Sequence, residues 1–489
     1  NDLDGGGPDV VVGLPSYDLP SKPDAGAIAV FSNVAGPGEP NPSPPAARTI
    51  LTADDFPGLT SQVGARFGAS PVLWNDGPDD ADHCADLLVG SPGQNVAGQA
   101  GAGRAYLLHG SDQGLDGVLN TYDEAGLDGT GGPQAGAHFS AAIAAETSSM
   151  IAIGAPGRDI GDATDAGRVV RLDYLLSDQP PIVSVVQQGG LGADNPEDGD
   201  RFGEVVHLFG TGDGPVLIVG VPHEDVGTKV DAGAVAAQPP NGPLSVVTQD
   251  SPGAGGSAES GDRYGASIDS YSTFVVDHPV CMVAVGVPGE DLGGAANAGM
   301  VSYAAVDLFL PEEPVAPIRG LALTISQDSG GVPGGVEAGD QFGSVVATGE
   351  FGAERLHLVA SSPTEDLGTI RDAGMVTMTR IDPQTGTTLP GAQPGSWTQG
   401  SAGVAGTPET GDRFGSGVTG AQLSQPVDDE DPNWAVLLVS VAGENVGNAS
   451  DAGMAYLGVP AGQGSVGLSP PTPQSGAGSG MAGMHMLLG

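Results

Sequence analysis

Two short sequence elements recur along the chain at a constant distance from each other. The first is an apolar run ending in Gly-Xaa-Pro, as in Ile151-Ala152-Ile153-Gly154-Ala155-Pro156, and the second is an Asp-Ala-Gly type element. In all seven copies, 13 residues separate the glycine or serine of the first element from the last glycine of the second, at 13–26, 90–103, 154–167, 220–233, 286–299, 361–374 and 440–453. The copies themselves recur irregularly, about every 71 residues, so the constant internal spacing indicates a repeated structural unit.

A third marker, an aromatic residue usually followed by glycine, precedes the apolar run in six copies. It occurs at Phe67, Phe139, Phe202, Tyr264, Phe342 and Phe414. The seventh copy is expected just before Asn1, and residues 479–489 resemble the start of a repeat, with Met481 in the place of the aromatic residue. The chain therefore resembles a circle cut inside one repeat, with a Gly/Pro/Ser-rich segment at 460–478 and a closing strand at 479–489.

Each repeat contains four segments of strand length, separated by clusters of Gly, Pro, Asn and Asp. In one copy the four segments are 202–209, 215–221, 233–237 and 244–249, and the sequence shows no apolar stripe long enough for a helix. Seven units of four antiparallel strands are typical of a β-propeller. The sequence therefore predicts an all-β fold, a single seven-bladed propeller over residues 1–489, whose ring is closed by a C-terminal strand that joins the N-terminal blade.

The repeat resembles a known family. Phe139, followed by Gly154-Ala155-Pro156, is similar to the FG-GAP repeat of the integrin α-subunit propeller, and the linker from Gln249 to Gly265 resembles bacterial FG-GAP proteins of the exported type. The resemblance covers roughly residues 1–459 and the closing strand. It implies that the loops between second and third strands share one face with the connections between blades. It also implies that the loops between first and second strands lie on the other face and often hold calcium.

Two acidic segments are similar to the family's calcium loop, in which carboxylates alternate with glycine so that several oxygens can surround the ion. The resemblance implies that calcium is bound as a cofactor by Asp2, Asp4 and Asp9 and by Asp80, Asp82 and Asp86. The alternative is a solvated turn rich in aspartate.

The charge balance restricts the partners. The chain has 60 acidic and 15 Lys or Arg residues, a formal net charge of −45, so we expect no binding to nucleic acid and no membrane insertion. The predicted partner is a basic protein or a cell-surface component, bound at an acidic loop face made of Asp18, Asp159, Glu224, Asp225, Glu290, Asp291, Glu365, Asp366 and Glu444. The alternative is that these carboxylates solvate the surface or accept N–H groups within the turns.

The sequence offers no recognisable catalytic motif. The eight histidines are scattered without metal-ligand spacing, and no Gly-Xaa-Ser-Xaa-Gly element lies at a strand-to-helix turn. The chain is therefore expected not to be an enzyme but a scaffold or adhesion-type propeller for protein or cell-surface binding. Two alternatives stay open: a carbohydrate-binding lectin, although aromatic residues are only 4%, and a hydrolase or lyase with an atypical axial site.

The start of the chain bears on localisation. Asn1 opens inside a repeat, and no signal peptide precedes it in this chain. We expect a processed or trimmed exported protein that is secreted or displayed at the cell surface.

Overall fold

Seven separate antiparallel sheets of four strands each make up the computed structural model of the chain. The structure describes residues 3, 9–32, 34, 47–74, 84–127, 129–146, 149–174, 180–189, 195–211, 214–240, 242–275, 278–307, 323–350, 356–382, 388, 395–422, 435–459, 466–469 and 484–486. Within them the helical element is one 3-10 turn, Ala53–Asp55, and no helix has the length and apolar character needed to cross a membrane. The predicted all-β, seven-bladed propeller is confirmed.

The blades follow one another along the chain. Blade 1 holds β1 (Val10–Leu14), β2 (Ala27–Ser32) and β3 (Ala47–Leu51). Blade 2 holds β4 (Ala69–Trp74), β5 (Asp86–Ser91), β6 (Arg104–His109) and β7 (Gly117–Tyr122). Blade 3 holds β8 (Ile143–Glu146), β9 (Met150–Ala155), β10 (Arg168–Asp173) and β11 (Ile182–Val186). Blade 4 holds β12 (Val205–Phe209), β13 (Val216–Val221), β14 (Ala234–Gln238) and β15 (Ser245–Val247).

The remaining three blades repeat the same order. Blade 5 holds β16 (Ser267–Val275), β17 (His278–Val287), β18 (Met300–Asp307) and β19 (Leu323–Ile325). Blade 6 holds β20 (Val346–Glu350), β21 (Leu356–Ser362), β22 (Met375–Arg380) and β23 (Gly395–Trp397). Blade 7 holds β24 (Phe414–Gln422), β25 (Ala435–Val441), β26 (Met454–Val459) and β27 (Val466–Leu468), so the Gly/Pro/Ser-rich segment contains a fourth strand.

The C-terminal strand closes the ring. β28 (Met484–Met486) pairs antiparallel with β1, in the register Val10 with Met486 and Val12 with Met484, and so supplies the first strand of blade 1. It also lies beside β24 and β4, the first strands of the two neighbouring blades. The ring therefore has no open sheet edge at the point where the two ends of the chain meet. Met481 lies outside the described residues.

The second strands are buried on both faces because each blade is sandwiched between two others. All six residues of β5 and of β9 are buried, whereas the outermost β3 has the pattern of a partly exposed edge. The segments expected at 215–221 and 233–237 agree with β13 and β14, but the first strand of that blade begins at Val205 rather than at Phe202. Phe202 instead forms a bridge to Gly167 of the preceding blade.

Neighbouring blades contact each other backbone to backbone at the two positions that define the constant spacing of the repeat. At the junction of blades 5 and 6, a Cβ on Gly286 would lie 2.0 Å from the carbonyl oxygen of Gly343. Thirteen residues later, Gly299 has a φ of +82°, and a Cβ there would lie 2.3 Å from the carbonyl oxygen of Phe342. The Phe342 ring is 1% exposed and packs between the two blades. Both glycines of one repeat therefore contact the Phe-Gly pair of the next.

Replacement of Gly286 by alanine tests this contact. Its Cβ requires the Gly343 backbone to move, so we expect the free energy of unfolding to fall by about 3 kcal/mol in urea denaturation. Gly335 has an ordinary φ and no atom within 4 Å of the Cβ position, so the control Gly335→Ala should change stability by less than about 0.5 kcal/mol. Equal effects of the two substitutions would contradict the close-contact explanation.

Candidate functional site

The first strands of the blades surround a cavity on the axis of the propeller. Its volume is about 920 Å³, and its lining comes from β4, β8, β12, β16, β20 and β24, together with Pro15. Because six of the blades contribute their innermost strands, side chains that are distant in sequence meet here. A concave site of this size that combines apolar walls with a few polar groups is the usual form of a small-molecule site.

Polar side chains are concentrated on the wall that blades 4, 5 and 6 contribute. Blades 2 and 3 supply mainly small or apolar residues, such as Val72, Leu73 and Ala144. The opposite wall carries Glu204, His207, Asp269, Ser270, Ser344 and Thr348. The cavity is therefore chemically asymmetric although the backbone repeats.

A histidine and a serine form a hydrogen bond across the junction of blades 4 and 5. His207 Nε2 on β12 lies 2.7 Å from Ser270 Oγ on β16, and His207 Nδ1 lies 4.0 Å from Asp269 Oδ1. The other carboxylate oxygen, Asp269 Oδ2, accepts the Thr348 backbone N–H at 2.6 Å and lies 3.3 Å from the Thr348 hydroxyl. A serine, a histidine and a carboxylate that blade 6 holds in place therefore face one cavity.

Burial controls the protonation of this group. His207 and Asp269 keep 21% and 28% of their side-chain surface exposed to the cavity but are otherwise enclosed by protein. Burial lowers the pKa of His207 below its ordinary 6.5 and raises the pKa of Asp269, while each charge opposes the shift of the other. An uncharged imidazole can accept the Ser270 proton at Nε2, with its own proton on Nδ1 toward Asp269.

The thiol near this group is protonated. Burial raises the pKa of Cys281 to about 12, and its side chain is 1% exposed. A thiolate is the reactive form of cysteine, so Cys281 serves packing rather than nucleophilic chemistry.

A second histidine lies near the loop end of the cavity wall. His223 Nδ1 lies 2.9 Å from Asp231 Oδ1, and His223 Nε2 lies 3.5 Å from Glu204 Oε2. Glu204 is the second residue after Phe202, a position that is alanine or serine in the other described blades. It is therefore the one carboxylate at that place of the repeat.

Composition and motif spacing do not single out the axial group, because its histidine is one of eight scattered along the sequence. The signal lies in the register of the repeat, since His207 and Asp269 both stand five residues after the aromatic marker. Other copies have Val72, Ala144, Ala347 and Thr419 at that position. Two neighbouring blades that replace a small or apolar residue by His and Asp would have indicated the site.

On the predicted partner face, the aspartates close the loops between the second and third strands. Each accepts the backbone N–H of the residue six positions later, at distances from 2.7 to 3.0 Å. The aspartates are Asp18, Asp159, Asp225, Asp291 and Asp366, and Asn95 and Asn445 do the same in blades 2 and 7. They lie on the loop face as expected and also have a structural role there.

The glutamates predicted for the same face point instead into the junctions between blades. Each accepts a side-chain N–H from a glutamine of the preceding blade, at 2.8 Å for Glu290 and 2.7 Å for Glu365. Glu224 pairs in the same way with Gln188, and Glu444 with Gln399. Whether the loop face binds a partner stays a prediction.

The predicted calcium ligands are only partly described. Asp2, Asp4, Asp80 and Asp82 lie outside the described residues. Asp9 is fully buried and accepts the Leu3 N–H at 2.8 Å, and Asp86 accepts the Gly110 N–H at 3.0 Å. Over the described part of the chain, no group of three or more His, Cys, Asp or Glu side chains is arranged to hold a metal ion. Calcium at these loops stays a prediction.

Comparison with known proteins bears on the expectation about catalysis. No protein-family model and no curated protein matches the chain. Among solved structures, the chain is similar to a thermostable family-43 glycoside hydrolase, with 10% identity, a TM-score of 0.31, and coverage of 68% of this chain and 93% of that one. The prediction that the chain is not an enzyme is contradicted by this match to an enzyme. The likeness is too low to assign a substrate or an activity.

The protonation of His207 is measurable by NMR of the imidazole nitrogens. We expect a titration midpoint below 6.5, and a further decrease in Asp269→Asn, because that carboxylate raises the pKa of His207. Since the folded pKa lies below the unfolded one, the uncharged imidazole contributes stability above pH 6.5 that is lost as the pH falls through the folded value. Asp116→Asn, on blade 2, should leave the midpoint unchanged. A midpoint at or above 6.5 would disprove the burial argument.

Proposed function

We propose that the protein is a hydrolase whose reaction takes place in the axial cavity. The observation that carries this proposal is the 2.7 Å contact between His207 Nε2 and Ser270 Oγ, with Asp269 on the far side of the imidazole. A base within hydrogen-bond reach of a hydroxyl, with a third group beside the base, is the arrangement that activates a serine nucleophile.

The roles follow from the geometry and from the protonation states. His207 accepts the hydroxyl proton while Ser270 Oγ forms a bond to the acyl carbon of the substrate. The imidazolium then gives that proton to the leaving alcohol, and water, activated by the same base, releases the acid and restores Ser270. Asp269, which the Thr348 N–H and hydroxyl hold, stabilises the imidazolium that forms between these steps.

The cavity and the charge of the chain define the class of substrate. A volume of about 920 Å³ accommodates a small molecule. With Glu204 and Asp269 in the wall and a net charge of −45, the field attracts cations and repels anions. We therefore propose a small ester that is uncharged or cationic.

A panel of chromogenic esters with neutral or cationic acyl groups tests the activity. His207→Asn and Ser270→Ala should each lower kcat/KM at least about 100-fold, because each removes one partner of the proton transfer. Since burial lowers the pKa of His207, activity should persist below pH 6.5 and fall only in more acidic buffer. Intact-mass analysis after treatment with a fluorophosphonate probe should show one adduct, which Ser270→Ala abolishes.

The matched control is His109→Asn. His109 lies on the third strand of blade 2, with its Nδ1 2.8 Å from Asp116 Oδ1. Its substitution should leave kcat/KM unchanged. Melting temperatures of all variants show whether each is folded. Absence of saturable turnover together with absence of an adduct, or equal losses in His109→Asn and His207→Asn, would refute the proposal.

A second candidate function is binding of a basic protein, a cell-surface component or a glycan at the acidic loop face. Its support is the net charge of −45 and the repeated presentation of a loop aspartate, of which Asp18, Asp291 and Asp366 are exposed. An exported, secreted or cell-surface location and calcium in the loops between first and second strands belong to the same proposal. Binding that weakens steeply with added salt and involves these aspartates would support it.

A further inference from the structure

Four junctions between blades carry the same three polar side chains. A glutamine follows the fourth strand of one blade, an aspartate precedes the aromatic marker of the next, and a glutamate follows the second strand of that next blade. The sets are Gln188, Asp200 and Glu224; Gln249, Asp262 and Glu290; Gln327, Asp340 and Glu365; and Gln399, Asp412 and Glu444. The four glutamines are 1–4% exposed and the four aspartates 1–2% exposed. Glu224 and Glu365 are also buried, whereas Glu290 and Glu444 are partly buried.

The three residues occur together or not at all. The junction of blades 1 and 2 has Ala53, Ala65 and Gln94 at the equivalent positions, and the junction of blades 2 and 3 has Glu124, Ala137 and Arg158. Where the aspartate is replaced by alanine, the glutamate is therefore replaced as well. In three of the four sets the two carboxylates are close enough for their charges to repel each other, so a cation between them would stabilise both.

At the junction of blades 5 and 6, the described residues supply no positive charge to the pair. Asp340 Oδ2 accepts the Glu337 N–H at 2.8 Å, and Glu365 Oε2 accepts the Gln327 amide N–H at 2.7 Å. Burial, followed by repulsion from neighbouring carboxylates, raises the pKa of Asp340 to about 6 and that of Glu365 to about 7, and no basic side chain within the described ranges opposes the shift. Buried charges without a counter-charge are costly.

The glutamine in each set has an unused acceptor. In Gln188, Gln249, Gln327 and Gln399, Oε1 is buried and has no hydrogen-bond partner among the described residues, while Nε2 of the same amide donates to the glutamate. Rotation of the amide by 180° would break the Nε2 hydrogen bond and turn Oε1 toward the glutamate, an arrangement that is favourable only with a cation between the two oxygens. Two carboxylates and an amide oxygen are the donors that a hard cation takes.

The junction of blades 2 and 3 holds a cationic group of the chain's own at this place. Glu124 stands at the glutamine position and Arg158 at the glutamate position, with Arg158 Nη1 3.1 Å from Glu124 Oε2 and 2.7 Å from the Gly132 carbonyl oxygen. Arg168 also binds Glu124. The place in the junction that the glutamine and glutamate occupy in other blades can therefore hold a positive charge.

We propose that each of the four junctions binds a calcium ion between the glutamate carboxylate, the aspartate carboxylate and Oε1 of the glutamine. Calcium suits this set because it accepts carboxylate, amide and backbone carbonyl oxygens in flexible geometry, whereas magnesium requires near-octahedral ligands and retains its water. These sites lie on the loop face, between blades, and are distinct from both the axial cavity and the acidic loops around Asp9 and Asp86.

Calorimetric titration of chelator-treated full-length protein with calcium chloride tests the proposal. We expect saturable binding and a rise in melting temperature. The variants Glu365→Gln and Asp340→Asn should each remove one calcium per chain from the stoichiometry. The control Asp328→Asn makes the same charge change on the exposed residue next to Gln327 and should leave the stoichiometry unchanged.

A transplant separates loss of the site from loss of folding. The triple variant Gln327→Glu/Asp340→Ala/Glu365→Arg copies the set Glu124, Ala137 and Arg158 into the junction of blades 5 and 6. It should fold, bind one calcium fewer, and depend less on calcium for its melting temperature than the parent. No saturable calcium binding, or an unchanged stoichiometry in the folded transplant, would overturn the proposal. If low pH raises the melting temperature and calcium does not, each pair of carboxyl groups shares a proton instead of binding an ion, and the proposal is wrong.

Discussion

The close approach of two backbones at each junction determines the rest of the propeller. Gly286 and Gly299 of one blade contact Gly343 and Phe342 of the next, so both glycines of a repeat touch a single dipeptide. The loop that joins them must therefore span a fixed distance, which explains the constant spacing of 13 residues in every copy. Strand lengths and outer loops are free of this constraint, and there the copies differ in length.

Because the glycine and aromatic contacts of each junction are made by other residues, the side chains at the axis can change without loss of the fold. His207 and Asp269 occupy a position that is alanine in blades 3 and 6, and Glu204 replaces a small residue next to the buried Phe202. All three face the same cavity. Departures from the repeat, rather than the repeat itself, therefore mark the polar wall of the axial cavity.

The sequence was sufficient for the fold but not for the site. Blade number, strand order and closure by the C-terminal strand follow from local spacing, and β13 and β14 lie where the pattern placed them. The pairing of His207 with Ser270 depends on two strands 63 residues apart becoming neighbours around an axis. Similarly, adjacent acids such as Glu365 and Asp366 look equivalent in sequence, yet one is buried against Gln327 and the other closes an exposed loop.

The two proposed sites are connected by the geometry of the ring. The axial contacts span the junctions of blades 4 and 5, through His207 and Ser270, and of blades 5 and 6, through Asp269 and Thr348. These are two of the four junctions that carry the carboxylate and glutamine set. A cation that offsets repulsion there would hold the blades at the separation that the axial hydrogen bonds require. In the junction of blades 2 and 3, the arginine pairing with Glu124 takes the place of that set. There the axial strands are joined by a neutral hydrogen bond, in which Ser70 Oγ accepts the Ile143 N–H at 2.9 Å.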